Sequence, residues 1–188
     1  MNPILEMPEV RSRAVPLSVA AYEWMTDKGL VSGQTELIHG IVLEKMGKSP
    51  LHAQITDRLF KLIFLAVGDA AWVRCEAPVV LADSRPEPDV SVVAGKDSDY
   101  ASQHPRGALL VVEVAVSSEA IDRAMALAYA AGGVAEYWLV LAKSGKVECY
   151  SNSSSGVYQT VQIVGAGPWN SVVLPGVSVD PGRVFPAR

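Results

Sequence analysis

Between Pro86 and Val140 the chain carries three short apolar runs that constrain how the rest can fold. The first is Pro86-Glu87-Pro88-Asp89-Val90-Ser91-Val92-Val93, the second spans Ala108 to Val116, and the third is Glu136-Tyr137-Trp138-Leu139-Val140. Their brevity and their Val, Leu and Trp content predict strands. An Ala-rich segment, roughly Glu119 to Ala131, lies between the last two. Ser117 or Ser118 caps it and Gly132-Gly133 stops it, so it reads as a helix. Strand, helix, strand in that order implies a right-handed crossover and a partly parallel sheet. Two of the runs hold an acid, Asp89 at the start of one and Glu113 within another. An ionised carboxylate there is costly unless a cation or hydrogen bonds offset it. Two of them on neighbouring strands make a site suited to a hard divalent ion.

The remaining chain supplies covers and edges. Met1 to Pro16, with Pro3, Pro8 and Pro16, reads as an extended arm. Ser18 is the N-cap of a helix over Val19 to Lys28 that Gly29 ends. Thr35 to His39 and Ile41 to Met46 flank Gly40 as a hairpin. Ser49-Pro50 opens a helix to about Val67, where Leu51, Ile55, Leu59, Leu62, Ile63 and Ala66 form a core-facing stripe. His52 lies at the edge of that stripe. Ala71 to Leu81 reads as a strand, with Pro78 marking a bend or an edge. Gly95 to Gly107 is a polar loop. Lys146 to Tyr150, Val157 to Val164 and Val172 to Val179 are further strands. The expected organisation is an arm (1–16) and one domain (17–188) with its core at about 35–142.

With 188 residues, 49% hydrophobic and 19% charged, a single domain with an ample core is expected. No apolar run is long enough to span a bilayer, and the N-terminal charges do not suit a signal peptide. A cytoplasmic location is the expectation. Cys75 and Cys149 lack metal or redox spacing and are expected to be buried free thiols. A net charge of −4 counts against a dedicated nucleic-acid binder but not against an enzyme that touches nucleic acid locally. Gly47-Lys48-Ser49 lacks the earlier glycine of a phosphate-binding loop, and Gly132-Gly133 is a helix stop rather than a dinucleotide fingerprint.

Glu36-Leu37-Ile38-His39-Gly40, His52, Pro88-Asp89, Val112-Glu113-Val114, Asp122-Arg123 and the run from Tyr129 to Val140 together resemble the Uma2 family. These are restriction-endonuclease-like proteins of the PD-(D/E)xK nuclease superfamily. The resemblance covers about Leu17 to Tyr150, and the Glu-Tyr-Trp-Leu-Val segment and the motif order are its specific parts. It implies an α+β or α/β fold, a mixed sheet flanked by helices, here with extra C-terminal strands. It implies a metal-dependent endonuclease acting on DNA, with Asp89 and Glu113 as ligands to Mg²⁺ or Mn²⁺. Glu36 would join them from the hairpin, and His52 would sit nearby. Related nucleases often work as dimers, and the tail strands could pair across a two-fold axis, so a homodimer is one expected assembly.

The chain also departs from the pattern. The superfamily lysine belongs two residues past the glutamate, where this chain has Ala115. The family's own lysine, on the next helix, aligns with Ala126 or Met125. Arg123 is the nearby cation that could stabilise phosphoryl charge, although it stays protonated and cannot act as a base. The missing lysine would impair turnover. The alternative reading is an inactive nuclease fold serving as a binding or assembly module. Each candidate also has an ordinary explanation: a turn carboxylate for Asp89, a solvated strand face for Glu36, a surface histidine for His52, a solvated helix face for Arg123. Glu113 is the hardest to explain that way, because apolar residues precede it for five positions. Lys45 and Lys48 are expected to be exposed, with either able to reach a phosphate.

Overall fold

A computed structural model of the chain describes residues 6–186. In order, the elements are α1 (Pro8–Arg11), α2 (Val19–Asp27), β1 (Thr35–Ile38), β2 (Ile41–Glu44), α3 (Pro50–Val67), β3 (Trp72–Cys75), β4 (Val90–Val93), β5 (Leu110–Ala115), α4 (Glu119–Ala131), β6 (Glu136–Leu141), β7 (Lys146–Ser154), β8 (Val157–Val164), β9 (Trp169–Asn170), β10 (Ser178–Val179) and α5 (Pro181–Val184). The main sheet has six strands in the order β3-β4-β5-β6-β7-β8. β5 and β6 run parallel, and every other adjacent pair is antiparallel. The parallel pair is the one joined by α4, as a strand-helix-strand order requires.

Side-chain alternation along β5 divides the core in two. Leu110, Val112 and Val114 pack with Ile55, Leu59 and Ile63 of α3. Val111 and Ala115 pack with Met125, Ala126 and Tyr129 of α4. The two-residue period of a strand puts Glu113 on the α4 side. Ile55, Leu59 and Ile63 are fully buried, each contributing about 1.5–3 kcal/mol of transfer free energy. Helix α3 starts where Ser49 Oγ accepts the His52 N–H at 3.2 Å, with Pro50 in the first turn.

The C-terminal segment closes the α3 face. Trp169, Val177, Val179 and Val184 are buried there beside Trp138. Glu136 pins this segment. Its Oε1 accepts the Trp138 Nε1–H at 2.6 Å, and its Oε2 accepts the Ser171 hydroxyl and the Val172 and Val173 N–H groups.

The β1–β2 hairpin is a separate two-stranded sheet. Its turn has His39 at φ 48° and Gly40 at φ 74°. A Cβ at Gly40 would lie 2.3 Å from Pro16 Cβ and 2.9 Å from the Leu17 N, so only glycine fits.

Several expectations need correction. The run from Ala71 to Leu81 is a strand only over Trp72–Cys75. Glu76 turns the chain at φ 48°, and Val79, Val80 and Leu81 donate their N–H groups to Pro86, Pro105 and Ser84 instead of a ladder. Pro78 has no N–H to give a ladder there. The arm is not wholly extended, since Pro8–Arg11 forms one helical turn; residues 1–5 lie outside the described residues. Val172 to Val179 is not one strand; only Ser178–Val179 pairs, with Trp169–Asn170. Cys75 is exposed, at the end of an edge strand, while Cys149 is buried.

Candidate functional site

A cleft of about 550 Å³ opens where the hairpin, the start of α3, the β4–β5 floor and the first turns of α4 converge. Glu36, Lys48, His52, Asp89, Glu113 and Asp122 line it. No element supplies more than two of these, so only the fold brings them together.

Asp89 enters from the extended Pro86-Glu87-Pro88 lead into β4 and is buried, at 4% exposure. Its Oδ2 accepts the Val114 N–H at 2.8 Å and stands 3.0 Å from His52 Nε2. Its Oδ1 accepts from Lys48 Nζ at 3.2 Å. Burial alone would raise its pKa, but His52, Lys48 and the Val114 N–H outweigh that and hold it below the ordinary carboxylate value. Asp89 is therefore a charged, fixed carboxylate.

Glu113 differs. It is the only residue of β5 that is not fully buried, and its side chain reaches the cleft floor. Its Oε2 accepts the Asp89 N–H at 3.2 Å and its Oε1 the Tyr129 hydroxyl at 2.6 Å. Desolvation, then the charge of Asp89, push its pKa well above the ordinary value, against the Tyr129 hydrogen bond. Asp122 and Glu36 are also shifted upward, each chiefly by burial. Ser118, positioned as the α4 N-cap, turns its hydroxyl to Asp122 and not to the helix N–H groups. The Tyr137 hydroxyl donates to the Asp122 carbonyl at 2.9 Å, which seats the first turn of α4 on the sheet.

Of the sequence candidates, Asp89, Glu113, His52 and Glu36 share the cleft. Glu36 is held by the Glu87 N–H at 3.4 Å. Arg123 does not join them. Its Nε and NH2 groups grip Glu148 at 2.7–3.1 Å, with Glu119 at 3.4 Å, and it does not line the cleft. One residue along a helix is a turn of about 100°, so Asp122 faces the cleft while Arg123 faces β7. The cation expected to replace the missing lysine electrostatically is thus held in an ion pair outside the cleft. Met125 lines the cleft and Ala126 is buried beneath it, so the helix position facing the site carries a thioether.

Sequence reasoning gave no site role to Asp122, Glu76 or Tyr129, and it expected Lys48 to be exposed and, like Lys45, able to reach a phosphate. Asp122 was visible only as the neighbour of Arg123, and helical phase was the available signal. Glu76 and Lys48 come from loops, where no periodicity reports direction.

Among the described residues, no group of three or more His, Cys, Asp or Glu side chains stands at metal-binding spacing. The donor chemistry still suits a hard cation: Asp89 is held ionised, and Glu113 beside it is disfavoured as an anion by burial and by the charge of Asp89. Mg²⁺ and Mn²⁺ take a few carboxylates and complete their shells with water and substrate oxygens. The residues present fit such an ion.

The comparisons with known proteins agree with this architecture. No curated protein matches the chain. A crystal structure described as "a putative nuclease belonging to DUF820 from Anabaena variabilis ATCC 29413" superposes with a TM-score of 0.69. It is 16% identical, and the match covers 80% of this chain and 89% of that one, so the likeness is one of fold. Among the described residues, no helix is long and apolar enough to cross a membrane. The Uma2 family, described as "Putative restriction endonuclease", matches residues 31–182, and the chain belongs to that family.

Proposed function

We propose that the chain is a metal-dependent endonuclease that hydrolyses DNA phosphodiester bonds, with its centre at Asp89 and Glu113. The observation that carries this reading is the pairing of a charged Asp89 with an uncompensated Glu113 on the floor of one cleft. Asp89 and Glu113 would hold Mg²⁺ or Mn²⁺, with Glu36 assisting directly or through water. When bound, such an ion polarises the phosphoryl group and lowers the pKa of an attacking water. His52 fixes the Asp89 carboxylate by its 3.0 Å contact, and Tyr129 orients Glu113 by its hydroxyl. These contacts preset the carboxylates before substrate arrives.

The second reading, an inert binding or assembly module, is favoured by the absence of a lysine from β5 and from α4. Cleavage of plasmid, single-stranded and branched DNA in Mg²⁺ or Mn²⁺, run beside Asp89→Asn and Glu113→Gln, separates the two. Activity lost in both variants supports the nuclease. Activity that persists in them marks a contaminant, and a wild type that neither cleaves nor binds Mn²⁺ leaves the inert module.

A further inference from the structure

We propose that Lys48 is the phosphate-binding cation of this cleft, contacting a non-bridging oxygen of the scissile phosphate. The inference rests on the nuclease reading above and adds a residue to it.

Acidic side chains outnumber lysines in the cleft lining, so a phosphodiester approaches against repulsion unless a cation is placed to meet it. Arg123 is committed to Glu148 outside the cleft. Lys45 lines the cleft and bonds Glu87 and the Gly33 carbonyl, but its side chain is only 21% exposed and it touches neither Asp89 nor Glu113. Lys48 is placed differently. Its Nζ stands 2.7 Å from Glu76 Oε1 and 3.2 Å from Asp89 Oδ1, and its side chain keeps 36% exposure. An ammonium has three N–H donors. These two contacts leave one, and the greater exposure of Lys48, with its contact to Asp89, sets it apart from Lys45.

Both partners of the ammonium come from neighbouring main chain. Lys48 directly precedes Ser49, which caps α3. Glu76 sits at φ 48°, a strained backbone for a non-glycine, and donates its N–H to the Asp89 carbonyl at 3.1 Å. The two carboxylates that hold the ammonium are thus tied to each other through the main chain. A cation taken up by Asp89 would compete with Lys48 for that carboxylate, while Glu76 would still keep the ammonium at the site. This is electrostatic stabilisation at the group where negative charge gathers.

The test compares wild type with Lys48→Ala, Lys48→Arg and Asp89→Asn. Three quantities are measured: plasmid cleavage in Mn²⁺, binding of a labelled duplex in Ca²⁺ against salt, and Mn²⁺ affinity without DNA. Lys48→Ala should cut cleavage by about 100-fold and reduce the slope of log affinity on log salt by about 1. Its Mn²⁺ affinity should be unchanged or tighter, since a positive charge beside Asp89 has gone. Lys48→Arg should restore the salt slope and much of the cleavage. If Lys48→Ala cleaves and binds like wild type while Asp89→Asn is dead, the Lys48 role is overturned and the nuclease reading stands. If Lys48→Ala loses Mn²⁺ as Asp89→Asn does, Lys48 merely shapes the carboxylates and the proposal also falls. If the wild type neither cleaves nor binds the duplex, the nuclease reading itself fails and takes Lys48 with it.

Discussion

Two glutamates on neighbouring parallel strands, Glu113 and Glu136, are solved in opposite ways. Glu136 is 1% exposed, and donors from Trp138, Ser171, Val172 and Val173 satisfy both its oxygens. Its carboxyl group holds the C-terminal segment against the α3 face. Glu113 receives one donor on each oxygen, faces a cleft, and stands against the charge of Asp89. A buried acid that is saturated with donors is a structural clasp. A buried acid left short of positive charge beside a second acid is a place for a cation to bind. Burial alone does not distinguish the two.

The comparison can be broken most sharply at Glu136. Glu136→Ala leaves several buried donors without partners and should cost about 3 kcal/mol, a fall in Tm of roughly 6–12 °C, read by thermal unfolding. At the other site the loss should be chemical. Asp89→Asn should reduce cleavage more than about 100-fold, or about 2.7 kcal/mol of transition-state stabilisation, and abolish any Mn²⁺-dependent rise in Tm. Retained Mn²⁺ stabilisation in that variant would remove the metal site from Asp89.

Arg123 tests the boundary between the two kinds of site. Arg123→Ala removes the guanidinium from Glu148 but leaves it the Tyr150 hydroxyl at 2.6 Å, and because Arg123 is 43% exposed the change should cost about 0.5–1 kcal/mol of stability. Cleavage per folded molecule should not change, and a specific loss of activity would return Arg123 to the site.

The smallest effect is expected from Glu113→Gln without metal. The folded-state pKa of Glu113 lies well above 4.5, so the folded protein keeps a proton that the unfolded chain releases. Its contribution to stability is therefore fully present below that ordinary value and is lost as pH rises through the folded-state value. Glutamine is neutral throughout. The variant should therefore lose less stability than the wild type as pH rises from acid to neutral, read by thermal unfolding across pH. A gain confined to acid would contradict the strain assigned to Glu113. The same variant should be inactive, so the destabilising charge would be the price of function.

The strand-helix-strand order around α4 was legible because composition and period dictate local structure. Val, Leu and Trp runs of strand length, an Ala-rich segment and a Gly-Gly stop leave few alternatives. Asp89 and Glu113 stood out because an acid inside an apolar run has to be explained. Two failures share a cause. Arg123 appeared available because it is the cation nearest in sequence to the missing lysine, and helical phase turns it toward β7. Lys48 could not be separated from Lys45 because loop residues carry no period, and its partners Glu76 and Asp89 are supplied by other segments.

The sequence by itself determined the mixed sheet, its parallel pair, and the two strands that carry an acid, because these follow from side-chain period, propensity and the cost of burying charge. Only the tertiary structure decided that Glu136 is a clasp, that Arg123 is occupied and that Lys48 is present at the cleft. The physical reason is that what a charge does depends on its nearest partners within a few ångströms, and for these residues most of those partners are distant in the chain.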